Sequence, residues 1–249
     1  MQPVIDQGRS VDLGVDADIA GEVRRRGYLT VPGSAFRTGA WAADLARLRA
    51  AYEELEPDAY LADGGAYRFR RHVRYRCPAG RRALLAEPPG PYMQSAEVNP
   101  FAGGVPRYFA PVTPEVRDNP FLHALLLRSL REFGQGLGPC DWEVDVHLVR
   151  IRALADEAGL PSPEGVHRDG FEFISLHLMD RRRVLGGRSI ICAADGTPLE
   201  EPLLADPMDS LYADDRRILH GTEPVRLDPA ADGPEGHRDM LLTSYRRVA

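Results

Sequence analysis

His167, Asp169 and His220 are the residues of this chain whose types and order could hold one metal ion. The first two stand two apart in Pro161-Ser162-Pro163-Glu164-Gly165-Val166-His167-Arg168-Asp169-Gly170, ahead of the apolar run Phe171-Glu172-Phe173-Ile174-Ser175-Leu176-His177-Leu178. In an extended strand, side chains at i and i+2 leave from the same face, so His167 and Asp169 can close on one ion while Arg168 points away. His220, inside a second strand-like run from Arg217 to Val225, supplies a third ligand. Two imidazoles and a carboxylate form a facial triad, which leaves positions open on an octahedral metal and suits non-haem Fe(II) oxygen chemistry. Zinc hydrolases use the same ligand types, so the triad alone does not name the metal.

The His-x-Asp pair carries little information by itself, because His-Arg-Asp recurs at His237-Arg238-Asp239. Only the first copy has a strand after it and a later histidine to complete a triad. Kinase catalytic loops also contain His-Arg-Asp. Here, however, Ile174 stands where a kinase needs its metal-binding asparagine, and no glycine-rich nucleotide loop or strand lysine precedes it. The arginine after the distal histidine turns the reading toward oxidation. A 2-oxoglutarate co-substrate chelates iron at one end, and its far carboxylate needs a fixed cation, for which a guanidinium fork is matched. Arg238, across the 228–237 loop from His220, is the first choice; Arg226, on the distal histidine's own strand, and Arg246 compete with it.

The elements that must position these residues divide into helices first and strands later. Asp16 or Asp18 can cap a helix reaching Arg26, and Gly27 suits a left-handed end. A strand follows over 28–31. A helix over 40–55 carries Trp41, Leu45, Leu48, Tyr52 and Leu55 on one face, and another over 121–133 carries Leu122, Leu125, Leu126, Leu130 and Phe133. Tyr67 to Arg76 alternates aromatic and cationic residues; it reads as a strand with one face of each kind, able to help hold an anionic small molecule. Arg107 to Phe109 reads as a short strand. From Trp142 the period becomes two, with Trp142, Val144, Val146 and Leu148 on one face and Glu143, Asp145, His147 and Val149 on the other. Further strands are expected over 188–193, 199–204, 210–213, 218–225 and 240–246. The pattern predicts a mainly β fold with flanking helices, a β-sandwich or jelly roll, in one domain over 1–249. Its helix-rich half extends to about residue 140, and the metal-binding β core follows.

Composition sets the outer limits. The net charge is -6, and all 31 basic residues are arginine, with no basic stripe and no motif of an RNA-binding fold; nucleic acid is not an expected partner. Three widely spaced cysteines suit a reducing compartment. No apolar run is long enough to span a bilayer, and Met1 to Leu13 lack the pattern of a signal peptide, so a cytoplasmic protein with no membrane partner is expected. The oligomeric state is not legible.

Taken together, Pro163 to Gly170, Arg182, Gly186-Gly187, Asp214-Asp215-Arg216-Arg217 with His220, and Gly236 to Asp239 resemble one family. It is the Fe(II)/2-oxoglutarate-dependent dioxygenase family of free L-amino-acid hydroxylases, which includes bacterial L-isoleucine 4-hydroxylase. The resemblance covers residues 95 to 247, with weaker echoes at Asn99-Pro100, Gly103-Gly104 and Arg107. It implies a double-stranded β-helix, Fe(II) with 2-oxoglutarate and O2, and hydroxylation of an unactivated C–H bond in a free amino acid or derivative. His167, Asp169 and His220 match the iron ligands, and Arg238 matches the 2-oxoglutarate arginine. Halogenating relatives carry a small residue at the position of Asp169, so the carboxylate implies hydroxylation. A free amino acid needs a cation for its carboxylate and an acceptor for its ammonium; Glu164, Arg107, Arg150 and Asn99 are candidates, with Phe171 as an apolar wall. Two rival readings are a metal-dependent hydrolase or isomerase on a cupin-like barrel and a non-catalytic binding barrel.

Overall fold

The structure is a computed structural model and describes residues 12–61, 65–94 and 104–248. Helix α1 (Ile19–Arg26) starts later than the spacing suggests, because the Asp18 side chain accepts from the Gly21 N–H and so caps the first turn there. Gly27, at φ 89°, ends it. Strand β1 (Tyr28–Val31) follows as expected. The second helix, α2 (Ala42–Ala50), is flanked by single 3-10 turns at Gly39–Trp41 and Ala51–Glu54, so the expected 40–55 stretch is helical but not continuous. Strands β2 (Glu56–Pro57), β3 (Arg68–Cys77) and β4 (Leu85–Ala86) precede the short α3 (Pro114–Arg117) and the long α4 (Pro120–Gly134). Asn119 caps α4 by accepting from the Leu122 N–H.

The β half contains β5 (Asp141–Leu154), β6 (Phe173–Arg182), β7 (Val184–Gly186), β8 (Ser189–Ala193) and β9 (Pro198–Glu200). It continues through β10 (Ser210–Asp214), β11 (Ile218–Thr222) and β12 (Val225–Leu227) to β13 (Glu235–Val248). Two expectations shrink: 199–204 keeps only the short β9, and Arg107 makes a single bridge with Tyr92 instead of opening a strand. The expected 218–225 strand divides into β11 and β12, and the last strand begins at Glu235, five residues early.

A large antiparallel sheet runs β1, β10, β6, β13, β5, β3, β2, with β4 on β3. Strands from the helix-rich half therefore complete the sheet of the β half. The alternation of β5 decides what its two faces meet. Val144, Val146 and Leu148 join Leu241 and Tyr245 of β13 against Phe121, Leu122, Leu125 and Leu126 of α4 in the main core. The opposite face is covered by two small sheets, β11-β8-β9 and β12-β7. There Val149 and Ile151 pack on Val184 and Val225, and Ile174 packs on Ile191 and Ile218. The large sheet and the two small ones closed over it form the double-stranded β-helix, and the space left between them is the cavity described next. No helix among the described residues is long and apolar enough to cross a membrane.

Candidate active site

The segment bearing His167 and Asp169 is a pinned loop and not the head of β6. Gly165 and Gly170 both take φ 83°, a left-handed conformation that breaks an extended run and that glycine adopts without strain. Asp215, in the turn between β10 and β11, holds the loop. Its Oδ1 accepts from the Asp169 N–H at 3.1 Å, and its Oδ2 accepts from the Gly170 and Phe171 N–H groups at 2.8 and 3.0 Å. His167 pairs with His220 of β11 through a two-way backbone bridge, at 2.8 and 2.9 Å. That bridge brings the two histidine rings to a centroid separation of 4.7 Å.

Asp169 then lies between them. Its Oδ1 is 3.6 Å from His167 Nε2, and its Oδ2 is 3.5 Å from His220 Nε2. The ligand atoms of all three residues fall within 4.8 Å of one another. His167 Nδ1 faces the Gly165 carbonyl at 3.0 Å, which turns Nε2 toward Asp169. His220 Nε2 is buried with no hydrogen-bond partner among the described residues. A buried nitrogen without a partner is costly unless something else coordinates it, and a divalent metal fits this donor set. Electrostatics agree. Burial disfavours charge on Asp169, yet His167 and His220 hold its carboxyl well below the usual range. Burial likewise works against His167, but Asp169 and Glu164 push its ring up to about 9. Asp215 moves the other way, raised by burial and by the Asp169 carboxylate.

The three residues open onto a cavity of about 410 Å³, within the roughly 300–1,000 Å³ range of small-molecule sites. Arg238 lines it from β13, is 3% exposed, and has a buried Nε without an acceptor among the described residues. Burial and then the neighbouring Arg181 lower its guanidinium to about 10. Arg181 itself donates to the Gly186 and Val184 carbonyls, which leaves Arg238 as the open fork. The competing arginines lie elsewhere: Arg226 is exposed on β12, and Arg246 pairs with Glu143 and stacks over Phe171.

The expected substrate residues separate. Glu164 and Arg107 line the cavity. Arg150 does not, because it shares the helix-side face of β5 with Val146 and Leu148; there it donates to Asp239 at 2.8 Å and pairs with Glu53. Phe171 stacks on Tyr92 at 6.3 Å and is not part of the wall. Asn99 lies outside the described residues. The second His-Arg-Asp also gathers carboxylates, with His237 Nε2 3.4 Å from Asp180 and 3.7 Å from Asp239, but Arg150 already occupies Asp239 and the group lies off the cavity.

Several cavity residues have no motif of their own. His147 is buried, with neither ring nitrogen hydrogen-bonded among the described residues, and stacks on His72 at 4.5 Å. Burial, then the charges of His72 and Arg70, hold its imidazole well below the usual value, so it is neutral. Gln94 donates to the Asp169 carbonyl at 2.9 Å and accepts from Arg107 at 2.6 Å, linking the loop to that arginine. Arg68 and Arg70 enter from the cationic face of β3. Alternation in Tyr67 to Arg76 was the one available signal for the last two.

A family model for 2OG-Fe dioxygenases matches residues 49–244. The chain is 25% identical over 245 residues to a 3(1)-hydroxy-L-isoleucine 4-dioxygenase of Pantoea ananatis, covering 92% of this chain and 96% of the relative. It is 26% identical over 199 residues to an L-isoleucine-4-hydroxylase of Bacillus thuringiensis, covering 78% and 79%. Among solved structures, a bsmA homolog from Methylobium petroleophilum PM1 superposes with a TM-score of 0.84 at 29% identity, covering 95% of this chain and 94% of the other.

Proposed function

This chain belongs to the 2OG-Fe dioxygenase family, and from that premise we propose that His167, Asp169 and His220 hold Fe(II) while Arg238 holds 2-oxoglutarate. The reaction is hydroxylation of an unactivated C–H bond in a free L-amino acid or a close derivative. The observation that carries the ligand assignment is the buried His220 Nε2, 3.5 Å from Asp169 and without a hydrogen-bond partner among the described residues. Relatives named for L-isoleucine and its hydroxy derivative support the substrate class.

When bound, iron with 2-oxoglutarate and O2 supplies the oxidising power that no side chain possesses. The chain's own residues bind and exclude. Asp215 keeps Asp169 facing the two imidazoles, and the Gly165 carbonyl keeps the His167 tautomer that leaves Nε2 free. Arg238, buried beside Val225 and Gly187, offers a dry guanidinium to the distal carboxylate of 2-oxoglutarate. Ile174, Leu176, Met240 and Leu242 form an apolar floor that limits water around the reacting carbon. Glu164, 3.3 Å from His167 Nδ1, is held at the rim, where it can accept from a substrate ammonium.

Anaerobic Fe(II) and 2-oxoglutarate should give a weak visible metal-to-ligand absorption band, absent in His167→Ala and His220→Ala. Free amino acids should then stimulate succinate formation with gain of one oxygen in the product. Activity that survives His220→Ala refutes the ligand assignment. Turnover with zinc and without 2-oxoglutarate would mark a hydrolase or isomerase instead.

A further inference from the structure

Arg68, Arg70 and Arg107 form a second cationic group in the cavity, apart from Arg238. Arg238 is level with Ile151 of β5, and Ile151 is level with Arg68 of β3. The two groups are thus separated by two strand spacings, about 10 Å across the sheet. One carboxylate reaches two of the three: Asp58 Oδ2 accepts from Arg68 Nε at 2.7 Å and lies 3.4 Å from Arg70 Nε. The other supports are uncharged. Arg70 lies over the Phe109 ring at 4.6 Å, and Arg107 lies over Tyr92 at 4.9 Å while donating to the Gln94 amide. Arg107 is 6% exposed, and the buried Nε atoms of Arg70 and Arg107 have no acceptor among the described residues.

Buried charges require partners, so the balance of the whole site is informative. The cavity lining holds four arginines, Arg68, Arg70, Arg107 and Arg238, against Glu164 and Asp169, with Asp58 behind. A divalent iron and a 2-oxoglutarate dianion cancel each other, which leaves one positive charge unmatched. A zwitterionic aliphatic amino acid does not match it. A substrate with net charge of minus one does.

We propose that Arg70 and Arg107 form a paired anion subsite that holds two acid groups of the substrate, its α-carboxylate and a second one, so that the enzyme prefers amino acids of the aspartate and glutamate kind. This rests on the hydroxylase reading above. Glu164 is the remaining lining carboxylate among the described residues and accepts the ammonium group. The planar forks of Arg70 and Arg107, backed by Phe109 and Tyr92, are preorganised for carboxylates.

The test uses the full chain in two readouts. In the first, without oxygen, thermal unfolding is followed with L-glutamate, L-aspartate, L-glutamine, L-isoleucine and N-acetyl-L-leucine. In the second, with Fe(II), 2-oxoglutarate and O2, succinate formation is measured for the same compounds. Glutamate or aspartate should raise the melting temperature where glutamine does not. Its kcat/KM should exceed that of the neutral amide by about 10–100-fold, the range for a charge-assisted hydrogen bond. Arg70→Met should reduce that ratio to about threefold or less, and Arg70→Lys should retain part of it. Equal use of glutamine or isoleucine overturns the proposal. N-acetyl-L-leucine as the preferred compound overturns it too, because that compound has lost its ammonium charge without gaining a second acid. If the wild-type iron band never forms, the hydroxylase reading fails, and a glutamate melting shift that Arg70→Met loses and Arg238→Met keeps still reads the subsite by itself, whereas the reverse pattern overturns the proposal. If Arg70→Met does not fold, the wild-type series decides.

Discussion

Replacing Asp215 tests whether the loop bearing Asp169 is held from outside. Its carboxylate is 1% exposed and takes three backbone N–H groups, from Asp169, Gly170 and Phe171, at 2.8 to 3.1 Å. Asp215→Ala leaves three donors without an acceptor. At roughly 1–3 kcal/mol for each buried, unsatisfied group, the variant should lose about 3 kcal/mol or more. A domain of ordinary stability, about 5–15 kcal/mol, survives that loss, so the protein should still fold. Asp215→Asn is the graded case: its single carbonyl oxygen, placed at the Oδ2 position, keeps Gly170 and Phe171, but its amide then opposes the Asp169 N–H. Stability should therefore fall in the order wild type, Asn, Ala in urea melts followed by circular dichroism. Metal affinity, read by anaerobic Co(II) titration, should drop about 10–100-fold in the alanine variant, the usual consequence of removing a group that orients a ligand. An alanine variant that loses less than about 1 kcal/mol and binds metal as tightly as wild type refutes the reasoning.

Three other perturbations follow from the same geometry. Arg238→Met should weaken 2-oxoglutarate by about 2 kcal/mol or more while Co(II) still binds; titration of the visible band against 2-oxoglutarate reads this, and an unchanged midpoint counts against Arg238. Gly187→Ala adds a Cβ at φ 73°, 3.2 Å from Arg238 Cδ and 3.3 Å from Val225 Cγ2. It should cost about 1–2 kcal/mol in thermal stability and raise the KM for 2-oxoglutarate, and a change in neither would place Arg238 outside that role. His177 is fully buried between Ser175 and Ser210, and burial lowers its ring to about 3 from an ordinary 6.5. Below pH 6.5 the unfolded chain takes up a proton that the folded chain refuses. Stability contributed by the neutral ring is thus complete above 6.5 and falls toward pH 3, at about 1.4 kcal/mol per unit. His177→Gln should flatten that decline between pH 6 and 4, and parallel slopes would exclude His177 as its source.

What the sequence by itself determined is whatever has a short local period or a specific motif. Trp142 to Leu148 shows which face of β5 enters the core, and the same alternation already assigns Arg150 to that face, against its candidacy for substrate binding. Capping chemistry marks Gly27 as a helix end and narrows the start to Asp16 or Asp18, between which the fold chose Asp18. The ordered motifs from Pro163 to Asp239 carry the family, because ligand type and chain order are properties of the string itself.

Tertiary structure decided everything that depends on which distant strands become neighbours. Among thirty-one arginines the motifs single out Arg238, but the tertiary fold is what brings Arg68, Arg70 and Arg107 into the same cavity and takes Arg150 out of it. The backbone bridge between His167 and His220, the Asp215 clamp and the exposure of neutral His147 to the cavity all join segments far apart in the chain. Side-chain period encodes the face of one strand, whereas a site is assembled across several. Its composition is therefore set by pairing energies summed over whole sheets, which no local spacing records.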